Sequence, residues 1–70
     1  MKLKTYEEVI GIMSGVQQKP KHIEIIFRID YPVEIPNDSI SIDKLKSYMD
    51  LRIGVFRTDK DIRIRKINGG

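Results

Sequence analysis

The chain of 70 residues contains no cysteine, no tryptophan and no alanine. The lack of cysteine excludes disulfide scaffolds, thiolate zinc sites and cysteine nucleophiles, and it suits a reducing cytoplasm. No apolar run approaches the roughly 18 residues that span a membrane, and the basic start is not followed by the apolar stretch of a signal peptide. These absences predict a protein that is cytoplasmic (in the host cytoplasm if the protein is viral) and has no membrane partner. The length leaves no room for a linker and a second core, which predicts a single domain over residues 1–70.

The apolar residues that are present are unusual in kind. There are 13 isoleucines against 3 leucines, and isoleucine is a β-branched residue that favours strands. A composition rich in isoleucine and lysine and free of alanine is also typical of AT-rich genomes. Together with the short frame, which is expected to be complete, it predicts a protein encoded by a phage or a mobile element.

The first half of the chain is predicted to form a helix and then strands. Thr5 and Glu8 have the spacing of a capping box, and apolar residues at helical spacing follow, which predicts a helix over residues 5–14. In residues 22–30 apolar and polar residues alternate with one residue out of phase, which predicts a half-buried strand. The segment 32–36 begins and ends with proline, so it is predicted to be an edge strand or an extended loop.

A second helix is predicted over residues 42–50, with Ser41 or Asp43 as its N-cap. The alternative is a short strand over residues 39–42 and a later start of the helix. The end of the chain is predicted to be a β-hairpin.

The two strands of this hairpin cover residues 51–57 and 61–67. A two-residue turn, or a four-residue loop of the same parity, places Val55 opposite Ile64. This register puts the apolar residues of both strands on one face: Ile53, Val55, Ile62 and Ile64.

The predicted fold is therefore a small α+β two-layer domain, in which an antiparallel sheet of about three strands carries two short helices on one face. Its core is predicted to draw on apolar positions of every element: Tyr6, Val9, Ile10, Met13, Ile23, Ile25, Phe27, Ile29, Leu45, Met49, Ile53, Val55, Ile62 and Ile64.

The sequence offers little that would support catalysis. His22 is the only histidine, the neighbouring Lys19 and Lys21 would repel a metal cation, and no second histidine or cysteine could complete a nitrogen or sulfur site. Carboxylate pairs need a pocket that separates their pKa values, and a two-layer domain of this size has little volume for one. We therefore expect no enzyme activity, no catalytic residue, no metal site and no cofactor.

The first candidate surface is the outer face of the hairpin. Residues 51–70 hold four of the five arginines. Arginines around an aromatic ring favour nucleic acid, because guanidinium groups contact phosphates and the ring stacks on a base. The simpler interpretation is a solvated strand face. The residues of this candidate RNA- or DNA-binding surface are Arg52, Phe56, Arg63 and Arg65.

The second candidate is a protein-binding surface around the proline-flanked strand. Apolar residues there are not needed by the predicted core, and an edge strand can pair with a partner or with a second copy of the chain, giving a homodimer. The alternative is that these residues complete the core. The candidate residues are Ile26, Tyr31, Val33 and Ile35.

The tail of the chain supports a third interpretation. A final strand that leads into Gly69-Gly70 resembles the end of ubiquitin-like modifiers and sulfur carriers, in which bare glycines thread into an activating enzyme. That family opens with a hairpin before its helix, whereas this chain is predicted to open with a helix.

By elimination, the sequence predicts a small non-enzymatic protein that binds and modulates a host protein or nucleoprotein complex, with inhibition as the favoured form of modulation. Direct binding of RNA or DNA through the basic hairpin is the first alternative, and a diglycine-tailed modifier or sulfur carrier is the second.

Overall fold

The computed structural model describes residues 1–67, which form one five-stranded antiparallel sheet and a short helix. The strands are β1 (Glu8–Gln18), β2 (His22–Phe27), β3 (Tyr31–Pro36), β4 (Arg52–Arg57) and β5 (Ile62–Lys66), and the helix α1 (Ile42–Lys46) lies between β3 and β4. The order across the sheet is β3-β2-β1-β4-β5. Among these residues no helix has the length and apolar character that crossing a membrane requires.

The predicted α+β architecture is wrong, because the sheet has five strands rather than about three and one short helix rather than two. The expected helix over residues 5–14 is a turn followed by β1. Tyr6 has a φ of 65°, which no residue of a right-handed helix adopts, and the Glu7 amide donates to the Lys4 carbonyl across the turn at 3.0 Å. The β-branched residues and glycines that follow disfavour a helix, and the backbone of β1 pairs first with β4 and then with β2.

Strand β1 belongs to both halves of the sheet. Its first five residues pair with β4, and its remainder pairs with β2. Between the pairs of Met13 and Gly15 the register shifts, which leaves Ser14 as an extra residue in a β-bulge. At Gly11 an added Cβ would lie 3.0 Å from Cδ1 of Phe27, so the absence of a side chain lets this ring pack directly on β1.

The core lies on one face of the curved sheet. Eight predicted core residues are confirmed as buried: Met13, Ile23, Ile25, Phe27, Leu45, Ile53, Val55 and Ile62. Val9, Met49 and Ile64 pack against them while partly buried. Tyr6, Ile10 and Ile29 are exposed, so their predicted burial is wrong; Ile29, 92% exposed, lies beyond the last paired residue of β2. The sequence prediction missed three core residues: Leu3, Val33 and Ile35.

The segment before β1 connects the two halves of the sheet. The Leu3 amide donates to the Glu34 carbonyl of β3 at 3.0 Å, and the Glu34 amide donates to the Met1 carbonyl at 2.7 Å. On the other side, Nη1 of Arg57 donates to the Leu3 carbonyl at 2.8 Å. Because one segment contacts both β3 and β4, it closes the curved sheet over the fully buried Leu3 side chain.

The remaining elements agree more closely with the sequence. In the C-terminal hairpin Arg57 pairs with Ile62 and Val55 with Ile64, which confirms the predicted register. The second helix is confirmed but ends at Lys46, and the Ser41 side chain caps it by accepting from the Lys44 amide at 3.2 Å. The proline-flanked segment is confirmed as the edge strand β3.

Candidate functional site

The outward side of β1, β4 and β5 is the main candidate surface. Neighbours along a strand face opposite ways. The residues of β4 that alternate with the buried Ile53 and Val55 therefore point away from the core, and so do their partners on β1 and β5. We call this surface the arginine face, and its residues are Glu8, Ile10, Ile12, Arg52, Gly54, Phe56, Arg63, Arg65 and Ile67.

All four predicted nucleic-acid residues belong to the arginine face. Phe56 is paired with Arg63 on β5 and with Glu8 on β1, so the aromatic ring lies in the middle strand with a charged residue on either side. A shallow depression of about 470 Å³ is lined by Phe56, the two β5 arginines and two neighbouring side chains, Glu8 and Ile64. The structure therefore brings the four predicted residues together, and it adds Glu8, Ile10 and Ile12 from β1, which the sequence analysis had assigned to a helix.

An ion pair crosses the centre of this face. Nε of Arg65 lies 3.4 Å from Oε2 of Glu8, although β4 separates their strands. The crossing depends on Gly54, where an added Cβ would lie only 2.9 Å from that Glu8 oxygen and 3.3 Å from Cδ1 of Ile67. A glycine at this position thus allows the two charged side chains to meet over the sheet.

A second ion pair lies at the start of β5. Nε of Arg63 is 3.5 Å from Oδ1 of Asp61, which also accepts a hydrogen bond from the Thr58 hydroxyl at 2.7 Å. The hydrogen bond from Thr58, followed by the positive charges of Arg63 and Lys60, lowers the pKa of the Asp61 carboxyl below its usual value. Asp61 is therefore ionised at neutral pH and remains a partner for Arg63.

The apolar part of the arginine face is partly exposed. Ile10 is 54% exposed on β1, which at this point pairs with β4 on one side only, and Ile12, Phe56 and Ile67 are half-buried on the same face. Nothing in residues 1–67 covers these side chains as a further layer, since α1 contacts β1 and packs Leu45 into the core on the other side. The face combines four apolar residues with three arginines and one carboxylate.

The four residues predicted to bind a protein partner do not share one surface. Val33 and Ile35 are fully buried and belong to the core, so the alternative that they complete the core is correct for both. Ile26 is half-buried on the outer side of β2, beside Gly15. Tyr31 is exposed, and its hydroxyl contacts Sδ of Met1 at 2.9 Å.

The edge strand β3, which was expected to support a homodimer, already makes backbone hydrogen bonds along part of its outer edge. β3 is an outer strand of the sheet, but its Glu34 backbone already pairs with the segment before β1. Pro32 and Pro36 have no amide hydrogen to donate to another strand. Pairing through β3 would have to displace the N-terminal segment, and the homodimer stays a prediction.

The sequence analysis missed a cluster on the other half of the sheet. Nε2 of His22 lies 3.7 Å from Oε1 of Glu34 and 4.0 Å from Oε2 of Glu24. His22 and Glu24 are two residues apart on β2, and Glu24 pairs with Glu34 of β3. The alternation His22-x-Glu24 was the local signal, but Glu34 could be placed beside it only after the β2–β3 register was known.

The diglycine tail lies outside the described residues, so the resemblance to modifiers and sulfur carriers receives no structural account. The chain matches no family model, no curated protein and no solved structure in the three comparisons made. The features that bear on function are therefore the arginine face and the cluster of His22, Glu24 and Glu34.

Proposed function

We propose that this chain is a small non-enzymatic binding protein that attaches to a larger host protein through the arginine face and inhibits it by covering part of its surface. The observation that carries the proposal is the exposure of apolar side chains around Ile10 among three arginines on a regular sheet. Contiguous exposed apolar surface with a polar rim is typical of protein interaction sites.

The composition of the face supports a protein partner. Arginine and aromatic residues are enriched in the energetically important centres of protein interfaces, where they combine apolar contact with directed hydrogen bonds. Isoleucines such as Ile10 and Ile12 add apolar area but cannot stack on bases. These side chains stand on three paired strands, so little backbone order has to be gained on binding.

The charges indicate an acidic partner. Within residues 1–67, Arg63 and Arg65 pair with carboxylates of the chain, and both arginine side chains remain largely exposed. Arg52, the first residue of β4, has no ion pair among residues 1–67. A protein surface with carboxylates around an apolar centre would complement this pattern, and we place that partner in the cytoplasm because the chain has no cysteine.

A pull-down from lysate of the source cell tests the proposal. We expect wild-type protein to retain a partner after nuclease treatment and in moderate salt. Ile10→Asp and Phe56→Ala should each weaken the Kd for the recovered partner by about 30-fold or more, since they remove central apolar contacts worth roughly 2 kcal/mol. Thermal melts of both variants establish that they fold.

Lys46→Ala is the control for the loss of a positive charge. Lys46 is exposed at the end of α1, which packs Leu45 into the core on the side of the sheet opposite the arginine face. Arg65→Ala should weaken the complex while Lys46→Ala leaves it unchanged. Equal binding by wild type, Ile10→Asp and Arg65→Ala would show that the partner uses another surface.

Binding of single-stranded RNA or DNA is the second candidate function, and the observation that favours it is the presence of Phe56 beside Arg63 on a face that also carries Arg52 and Arg65. Arginine contacts with phosphates release counterions, so log affinity would fall linearly with log salt. Stacking on Phe56 would add affinity with little effect on that slope. The Glu8 carboxylate in the same face weakens this candidate.

A titration of a labelled single strand at two salt concentrations separates the candidates. If nucleic acid is the ligand, Arg63→Ala/Arg65→Ala should reduce the salt slope by about two units or less, and Phe56→Ala should cost about 1–3 kcal/mol at an unchanged slope. Absence of binding at low salt, or binding indifferent to both changes, would eliminate this candidate.

A further inference from the structure

The outer side of β2 and β3 gathers three potential metal ligands from two neighbouring strands. His22 and Glu24 face the same way because they are two residues apart on β2, and Glu34 stands directly across from Glu24 on β3. One donor atom of each residue can be chosen so that all three lie within 4.8 Å of one another. The backbone ladder, rather than a loop, sets their spacing.

The imidazole nitrogen of this cluster lacks a partner among residues 1–67. Nε2 of His22 is buried and makes no hydrogen bond within that range, although the ring as a whole keeps 29% of its side-chain surface exposed. Buried nitrogen atoms almost always have a hydrogen-bond or metal partner, because leaving one without a partner costs free energy. Nε2 is directed towards the carboxylates of Glu24 and Glu34, yet it lies beyond hydrogen-bonding distance of both.

We propose that His22, Glu24 and Glu34 form a binding site for a divalent transition-metal ion of the zinc type. Zinc binds imidazole nitrogen and carboxylate oxygen at about 2.0–2.2 Å, which separates two ligand atoms on one ion by about 3.4 Å in tetrahedral geometry. The observed separations from Nε2 of 3.7 and 4.0 Å are longer than this by about 0.3 and 0.6 Å, and all three donor atoms lie within 4.8 Å of one another, so modest side-chain rotations would bring them onto one ion. Three protein ligands leave the fourth position for water.

The donor set also selects among metals. Mg²⁺ and Ca²⁺ prefer sites built wholly from oxygen, with six or more ligands for Ca²⁺, whereas one imidazole with two carboxylates suits zinc and its neighbours. The two glutamates balance the charge of the ion. This site lies on the half of the sheet away from the arginine face, so it is independent of the function proposed above.

Two lysines next to the cluster allow a substitution that should change metal affinity in the opposite direction to the loss of a ligand. Lys19 and Lys21 line a depression of about 470 Å³ next to His22, Glu24 and Glu34. Their positive charges oppose a bound cation, although solvent screens the repulsion. A metal site therefore predicts that Lys21→Gln tightens binding, opposite to the effect of changing a ligand.

Calorimetric titration of Zn²⁺ into the full chain, prepared without a histidine tag, tests the proposal. We expect saturable binding of one ion, weakened at least about tenfold by His22→Gln and by Glu34→Gln, and unchanged by Glu8→Gln on the arginine face. Mg²⁺ and Ca²⁺ should not compete. As a second measurement, Zn²⁺ should shift the NMR signals of the His22 ring and of β2 and β3 amides.

The outcomes are distinct. Saturable binding that depends on His22 and Glu34, together with the β2–β3 shifts, supports the site. No saturable binding, or binding that His22→Gln leaves unchanged, overturns it, and so does a His22 ring whose signals Zn²⁺ leaves unchanged. If His22→Gln fails to fold, the wild-type ring shifts and the Glu34→Gln titration decide.

Discussion

Replacing Ile25 with alanine is expected to lower the free energy of unfolding by about 2–5 kcal/mol, which approaches the whole stability of a domain this small. Ile25 is fully buried in the middle of β2, and the space left by its side chain would be lined by core residues that the sheet holds in place. Urea denaturation should show a lower midpoint at an unchanged m-value.

Ile26 is the matched control, since it is the next residue, has the same side chain and faces the other way. It is half-buried on the outer side of β2, where its loss leaves no enclosed cavity. Ile26→Ala should therefore cost much less than Ile25→Ala. A larger loss of stability for Ile26→Ala than for Ile25→Ala would mean that Ile26, and not Ile25, points into the core.

Replacing Leu3 with alanine is expected to cost about 2–5 kcal/mol as well, although it lies only two residues from the chain start. The side chain is fully buried where the N-terminal segment joins β3 to β4. Alanine preserves the backbone hydrogen bonds of the segment, so the expected loss reports the packing of the side chain alone. Thermal or urea unfolding gives the value.

Lys4→Ala is the comparison for this prediction. Lys4 follows Leu3 directly and is exposed, so its truncation should stay within about 0.5 kcal/mol. Equal effects of the two substitutions would show that the N-terminal segment does not close the sheet. Hydrogen exchange of the Glu34 amide, which donates to the Met1 carbonyl, should also quicken in Leu3→Ala.

The candidate surfaces were predictable to different degrees. Parity within the hairpin was enough to place Arg52, Phe56, Arg63 and Arg65 on one face, because side chains alternate strictly along paired strands. The β1 residues of the same face were not predictable, since they reach it only through pairing between segments about 45 residues apart in sequence. For the same reason the sequence did not show that Glu34 lies beside His22 and Glu24, since only the β2–β3 register brings them together.

Local pattern was sufficient where an element depends on near neighbours. Alternation in β2, the cap at Ser41 and the hairpin register all follow from residues close in sequence, and the structure agrees with each. These features were determined by the sequence itself, because side-chain alternation, capping and turn length act within a few residues.

Tertiary structure decided the elements whose local preferences conflict. In β1, apolar residues fit both helical and strand spacing, and the choice is resolved by pairing with β4 along the first part of the strand and with β2 along the rest. Leu3 carries no periodic signal, yet it is buried because the N-terminal segment lies against both β3 and β4. Burial of this kind depends on contacts between distant segments, which no window of neighbouring residues contains.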